Sequence, residues 1–174
     1  MKNALHLKVV LVSISLLAFL SVNKSFSQTP KEKKKIEHAA AIKTAVVDSQ
    51  HYVFRAQTAI PAQEMVRNLT YGYEVVVSSK KIDSYLPYFG VAYTADYGAT
   101  SSPLEFISSN FSYSMANGKK SGWNISIQTN DTKDFKKLFL SIFENGTATL
   151  QVVGSDRQPI SFNGIVEPVN EEKK

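Results

Sequence analysis

The chain has 174 residues, no cysteine and a formal net charge of +5. The absence of cysteine excludes a disulfide framework, a thiolate metal site and a lipid-modified cysteine at the N-terminus. The charge does not indicate nucleic-acid binding, because part of it lies in a leader that we expect to be removed.

The first twenty residues have the pattern of a secretory signal. Lys2 and Lys8 give a positive start, and residues 9–20 form an uncharged apolar run. A basic start followed by a short apolar core is typical of an export signal. A retained membrane anchor is the alternative, but a spanning helix needs roughly 20 apolar residues and this run is shorter.

The end of the signal is marked by small residues. Ser25 and Ser27 fit positions −3 and −1 of a cleavage site, so we predict cleavage near Ser27-Gln28 and a signal peptide over residues 1–27. The mature protein is then periplasmic or secreted. Removal of the leader takes away three of the 20 basic residues. The mature chain then has 17 basic and 15 acidic residues, a net charge of +2.

A helix is predicted to follow, within an N-terminal segment at residues 28–50. Thr29 suits the N-cap, Pro30 the first helical position and Glu32 the reciprocal side of a capping box. Apolar residues then recur near helical spacing, which predicts a helix over residues 30–49 lying against the domain. The expected apolar stripe is Ile36, Ala39, Ala40, Val46 and Val47.

Four lysines lie on the first turns of this helix: Lys31, Lys33, Lys34 and Lys35. Positive charge at a helix N-terminus opposes the helix dipole. A solvated helix end accounts for the cluster, and contact with anionic membrane headgroups is the alternative.

From residue 51 onward the apolar period changes to two, which predicts a β-rich domain over residues 51–168 and a polar tail over 169–174. Turn residues separate most of the short alternating segments. We expect a mainly β fold, an antiparallel sheet curled into a barrel-like or sandwich fold, with one N-terminal α-helix. The predicted strands are 51–61, 73–79, 81–86, 104–108, 109–115, 122–129, 137–143, 147–153 and 159–166.

The registers of three hairpins follow from the parity of their apolar residues. A three-residue loop at 144–146 keeps the apolar residues of both strands on one face of the sheet. A two-residue loop would shift the register by one residue and place the two apolar sets on opposite faces. The sequence therefore predicts the three-residue loop with a left-handed Gly146. The expected pairs are Ile142 with Ala148, Leu140 with Leu150, Leu138 with Val152, Val152 with Ile160 and Leu150 with Phe162, while Trp123, Ile125 and Ile127 face the set Phe111, Tyr113 and Met115.

Three blocks resemble a known family. They are the YLPYFG-containing block at 84–93, the NGTATL block at 145–150 and the RQPISF block at 157–162. Together they are similar to an exported Bacteroidota family, the domain of unknown function 4251, over about residues 37–167. The resemblance implies export and a small β-rich fold, and it implies no activity, cofactor or catalytic residue.

Catalytic and metal-binding motifs are missing from the sequence. His38 and His51 lack a metal-ligand spacing. Residues 130–134 lack the glycine and the distal glutamate of an EF-hand, so we expect a polar turn there. No nucleophile elbow is present. We therefore expect no catalytic residue, no metal and no cofactor, and a hydrolase remains an unsupported alternative.

The remaining unusual feature is a cluster of aromatic residues followed, far along the chain, by a charged turn residue. Tyrosine and phenylalanine offer broad contact surfaces, so the cluster suits recognition of a ligand, and filling one end of the core is the alternative. Arg157 either binds the ligand through its charged side chain or is a solvated turn residue. The candidate ligand-binding residues are Tyr85, Tyr88, Phe89, Tyr93, Tyr97 and Arg157.

The sequence therefore predicts an exported, non-enzymatic binding domain of the cell envelope whose partner is a small molecule or an envelope protein. A concave pocket lined by the tyrosines would favour a small ligand. A filled barrel with an exposed aromatic patch would favour a structural or inhibitor-like protein that binds another protein.

Overall fold

The computed structural model describes residues 29–70, 72–93, 102–118, 121–133 and 135–169. The chain divides into two compact units, Met1–Lys33 and Lys34–Lys174. The described part of the first unit is the start of a helix. The second unit carries the rest of this helix and a β-sheet.

Helix α1 (Pro30–Lys43) continues into a π-helical turn at Thr44–Asp48. Its N-terminus has the predicted capping box, in which the Thr29 amide donates to the Glu32 carboxylate at 3.0 Å and the Glu32 amide donates to the Thr29 hydroxyl at 3.4 Å. The bond from Thr29 holds the pKa of Glu32 below its ordinary value. In the part of the chain that the structure describes, no helix combines the length and apolar character needed to cross a membrane.

The predicted apolar stripe of the helix was wrong at two positions and right at Val46. Ile36 is 54% exposed and Ala40 is also exposed, whereas Val46 is buried together with Ile42 and Ala45, which the stripe did not include. Only the last turns of the helix approach the sheet, so the early apolar positions remain in solvent. The four lysines of the first turns are exposed.

Within the described residues ten strands follow the helix, close to the predicted segments apart from β2, which the sequence pattern did not indicate. They are β1 (Tyr52–Pro61), β2 (Arg67–Asn68), β3 (Glu74–Val77), β4 (Ile82–Tyr85), β5 (Glu105–Ser108), β6 (Phe111–Asn117), β7 (Trp123–Thr129), β8 (Phe135–Ile142), β9 (Thr147–Gly154) and β10 (Ile160–Pro168).

These strands form one antiparallel sheet with the order β5-β4-β3-β1-β10-β9-β8-β7-β6, and β2 pairs with β1. The sheet curls into a nearly closed barrel, as predicted. The two outer strands, β5 and β6, are consecutive in the chain, so residues 109–110 join them where the barrel would close.

The predicted registers of the β8–β9 and β9–β10 hairpins are confirmed, and in the β6–β7 hairpin Tyr113 pairs with Ile127 and Met115 with Ile125, whereas Trp123 pairs with Asn117 and Phe111 with Thr129. Ile142 pairs with Ala148, and Leu140 pairs with Leu150. Gly146 has a φ of 85°, the left-handed conformation expected for the last residue of the three-residue loop. The amide of Val166 donates to the Gly146 carbonyl at 2.7 Å, which ties this turn to β10.

Side chains fill the barrel interior. Among the largest fully buried residues are Phe54, Phe135 and Phe162. The hydroxyls of Tyr52 and Tyr113 lie 3.4 Å apart and link the central strand β1 to the outer strand β6. Burial raises the pKa of both phenols, that of Tyr52 by more.

Candidate recognition surface

The segment that follows β4 lies beside the β9–β10 loop. Ala92 forms an isolated antiparallel bridge with Arg157, and the Tyr93 amide donates to the Asp156 carbonyl at 2.9 Å. Residues 86–93 are therefore fixed to the end of the barrel by backbone hydrogen bonds. The segment contains Pro87, which has no backbone N–H, and it does not form a regular strand.

Tyr88 fixes this segment with its side chain. Its hydroxyl donates to the carbonyls of Gln158 at 3.1 Å and Val91 at 3.2 Å. Its ring is tilted against Phe135 with 5.5 Å between centroids, and the Arg157 guanidinium lies 5.7 Å from the ring centroid. Burial raises the pKa of this tyrosine. Tyr88 thus positions the segment, and Arg157 packs on it from the loop.

Phe89 connects the same segment to β2. The ring is partly buried against the core. The guanidinium of Arg67 lies 4.6 Å from the ring centroid, within the range of a cation–π contact, and Arg67 also pairs with Glu64 at 2.8 Å. Strand β2 therefore lies next to residues 86–93 at Arg67.

Two candidate tyrosines remain on the surface. Tyr93 is 68% exposed and Tyr85 is 51% exposed. Tyr85 stacks on Tyr73 with 5.6 Å between centroids and 18° between ring planes, which holds its ring in place. The alternative that Tyr85 and Tyr93 fill the core was wrong, whereas Phe89 does pack there. Tyr97 lies outside the described residues.

Further exposed apolar side chains lie close in the chain to these residues or to their contacts. Val91 lies between Phe89 and Tyr93, and Met65 and Val66 precede the arginine that contacts Phe89. Met65 is 86% exposed. We term Met65, Val66, Tyr85, Val91 and Tyr93 the aromatic rim. Met65 and Val66 were not predicted from the sequence, since their only local signal is two apolar neighbours in a polar stretch.

The rim offers aromatic faces, phenolic hydroxyls and aliphatic side chains, which are groups that suit noncovalent contact. Within the described ranges, no group of three or more histidine, cysteine, aspartate or glutamate residues is placed to hold a metal ion. Predicted site residues Tyr88, Phe89 and Arg157 support the surface, while Tyr85 and Tyr93 form part of it.

Comparisons with known proteins identify the family. The family model described as a domain of unknown function, DUF4251, matches residues 22–166. The chain belongs to the DUF4251 family. A solved structure of a DUF4251 family protein from Bacteroides eggerthii DSM 20697 is similar, with a TM-score of 0.55 and 16% sequence identity, and covers 79% of this chain and 94% of that chain. At this identity the likeness to the solved DUF4251 protein concerns the fold.

The family match confirms the resemblance drawn from the sequence blocks, and the aromatic rim lies within the residues that match the DUF4251 model. A search of curated proteins finds no match. The function of this DUF4251 chain therefore has to be argued from its own surface.

Proposed function

We propose that this DUF4251 protein is an exported, non-enzymatic recognition domain that binds another protein of the cell envelope through the aromatic rim. The observation that supports this most is the exposure of large apolar side chains on a barrel whose interior is filled by its own residues. A large contiguous apolar patch that a folded domain leaves in contact with water marks an interaction site, and the proposal takes the rim residues to form such a patch.

The composition of the rim fits a protein partner. Tyr85 and Tyr93 combine a broad ring with a hydroxyl that forms hydrogen bonds at its tip, and tyrosine is enriched among the residues that dominate binding energy. Met65 adds an adaptable apolar side chain. A partner that covers these residues would remove their apolar area from water, which is favourable by roughly 25 cal/mol per Å².

The support beneath the rim fits the same role. Tyr93 is fixed by its backbone bond to Asp156, and Tyr85 is held by its stack on Tyr73. A surface that is already ordered loses less conformational entropy on binding, which favours affinity. Cleavage near Ser27-Gln28 and export would place this surface in the envelope.

The test is photo-crosslinking of the full chain in the bacterium that encodes it. A photoreactive phenylalanine analogue is placed at position 93, and a matched control carries it at Ile107, which is also exposed but lies on β5 outside the rim. We expect a discrete protein adduct from position 93 and none from position 107.

The contribution of the rim to affinity is then measured with the purified protein that was identified in the crosslinked adduct. The double change Tyr85→Ser and Val91→Ser removes exposed rings and methyl groups, so the fold should persist by circular dichroism while affinity falls at least tenfold, about 1.4 kcal/mol. The proposal fails if positions 93 and 107 give the same adducts, or if the rim variant binds the partner as tightly as the original chain.

A further inference from the structure

The outer face of strands β6 to β10 carries two complete cross-strand rows of side chains. The pairings of β6 with β7, β7 with β8, β8 with β9 and β9 with β10 place five residues in each row. The first row is Ser114, Ser126, Phe139, Gln151 and Ser161; the second is Ala116, Asn124, Ser141, Thr149 and Asn163. We term these ten residues the neutral face.

None of these ten residues is charged, although charged residues make up 20% of the chain. At the chain's own frequency about two of ten residues would be charged, and surfaces designed for solubility aim at roughly 25–35%, so ten adjacent neutral positions stand out. The nearest charged residue beside the first row on β8 is Lys137. The neutral face therefore offers no ionic contact to an anionic or cationic ligand, and its chemistry is that of hydroxyls, amides and one aromatic ring.

Phe139 lies at the middle of the first row and is 40% exposed. Polar side chains surround it on the neighbouring strands, Ser126 on β7 and Gln151 on β9. A shallow, open depression lies on this part of the sheet. Its lining is Ser114, Met115, Ala116, Asn124, Ile125, Ser126, Phe139, Leu140 and Ser141.

Two amides of the second row are held by hydroxyls. The Ser141 hydroxyl donates to Oδ1 of Asn124 at 3.0 Å, and the Thr149 hydroxyl donates to Oδ1 of Asn163 at 3.0 Å. Each bond engages the amide oxygen, so the amide nitrogen, which can donate two hydrogen bonds, is oriented away from that hydroxyl. The second row thus presents two amides of fixed orientation, and one of them, Asn124, lies on the strand next to that of Phe139.

We propose that the neutral face binds a neutral saccharide. The apolar face of a sugar ring would lie on Phe139, while its hydroxyls bond the amides of Asn124 and Gln151. Neutral hydroxyl-rich ligands match a surface with uncharged donors and acceptors, and a shallow depression suits one or two sugar rings. This site goes beyond the proposed protein recognition, since the rim and the neutral face share no residue.

The test is a titration of the purified mature chain with cellohexaose, maltoheptaose and triacetylchitotriose, each used as a separate probe. Binding is monitored by the NMR chemical shifts of the backbone amides. We expect at least one of the saccharides to shift amides of β6 to β9 around Phe139, with a Kd of about 1 mM or tighter. Phe139→Ala should weaken binding at least tenfold.

Phe143→Ala is the matched control, because Phe143 is equally exposed at 39% and follows the same strand but lies outside the neutral face. It should leave the Kd unchanged. A second variant, Gln151→Lys, keeps Phe139 and introduces charge into the first row, so it should also weaken binding. Failure of all three saccharides to shift the neutral face, or equal losses from Phe139→Ala and Phe143→Ala, would overturn the proposal.

Discussion

At the residue scale, Gly164 shows how closely the backbones of β1 and β10 approach. It pairs with Ala56, next to the irregularity between Ala56 and Thr58. A Cβ at position 164 would overlap the carbonyl oxygen of Arg55 and lie 3.1 Å from Cε2 of Phe54. Both neighbours are fixed, one as backbone and the other as a buried ring, so neither can move aside at low cost.

We therefore expect Gly164→Ala to destabilise the fold by about 3 kcal/mol, the upper part of the range for overpacking in a core. Urea unfolding followed by the fluorescence of Trp123 measures the change. Ser161→Ala on the same strand is the control and should change stability by less than about 0.5 kcal/mol. Equal unfolding midpoints for Gly164→Ala and the original chain would show that the strands separate easily at this point.

At the scale of the element, the helix depends on its C-terminal turns. Ile42 is fully buried, and its Cδ1 would lie 3.4 Å from a Cβ at Gly146, so the helix packs against the β8–β9 turn. The π-helical turn at Thr44–Asp48 ends the helix, and the His51 amide then donates to the Ala45 carbonyl at 2.8 Å. The packing of the helix therefore rests on very few apolar side chains.

Truncation of the isoleucines tests this dependence. Ile42→Ala removes three carbons from a closed core and should lower the free energy of unfolding by about 2–5 kcal/mol. Ile36→Ala makes the same change at an exposed position and should alter it by less than about 0.5 kcal/mol. Chemical denaturation of both variants measures the difference, and equal effects would contradict the assignment of Ile42 as the anchor.

The elements differ in how far the sequence alone could predict them. The pairing of Leu140 with Leu150 depends on two adjacent strands and one turn, so alternation and loop length were enough to predict it. The bond from Tyr88 to Gln158 spans 70 positions. Periodicity contains no information about such a contact, because it depends on how the whole sheet curls.

At the scale of the whole molecule, Asp131 lies at the corner where the barrel would close. Its carboxylate accepts from the hydroxyl of Ser108 and from the amides of Ser109 and Asn110 at 2.9 and 3.0 Å. Residues 109–110 join the outer strands β5 and β6, so this side chain from the β7–β8 loop holds the link between them together with Asn130, whose backbone amide and side-chain amide donate to Asn110 at 2.9 and 3.1 Å. The sequence indicated only a polar turn at residues 130–134, since these partners lie more than twenty positions away.

This arrangement makes stability depend on pH in a defined direction. The bond from Ser108, followed by that from the Ser109 amide, holds the pKa of Asp131 below its ordinary value. The unfolded chain then takes up a proton at a higher pH than the folded chain, so the stabilisation is fully present above a pH of about 4, the ordinary aspartate value. It is lost as the pH falls through the lowered pKa of the folded state.

Urea unfolding between pH 7 and about pH 2 should reveal this loss when the original chain is compared with Asp131→Asn. At pH 7 the variant should be less stable, because a neutral amide binds the two backbone amides more weakly than a carboxylate does. The difference between the two chains should shrink steadily as acid protonates Asp131. Asp83→Asn is the control, since it removes the same charge from an exposed ion pair with Lys81 at 2.8 Å and should change stability little at either pH. A stability difference for Asp131→Asn that stays constant across this pH range would mean that the corner is held by its backbone and not by the carboxylate.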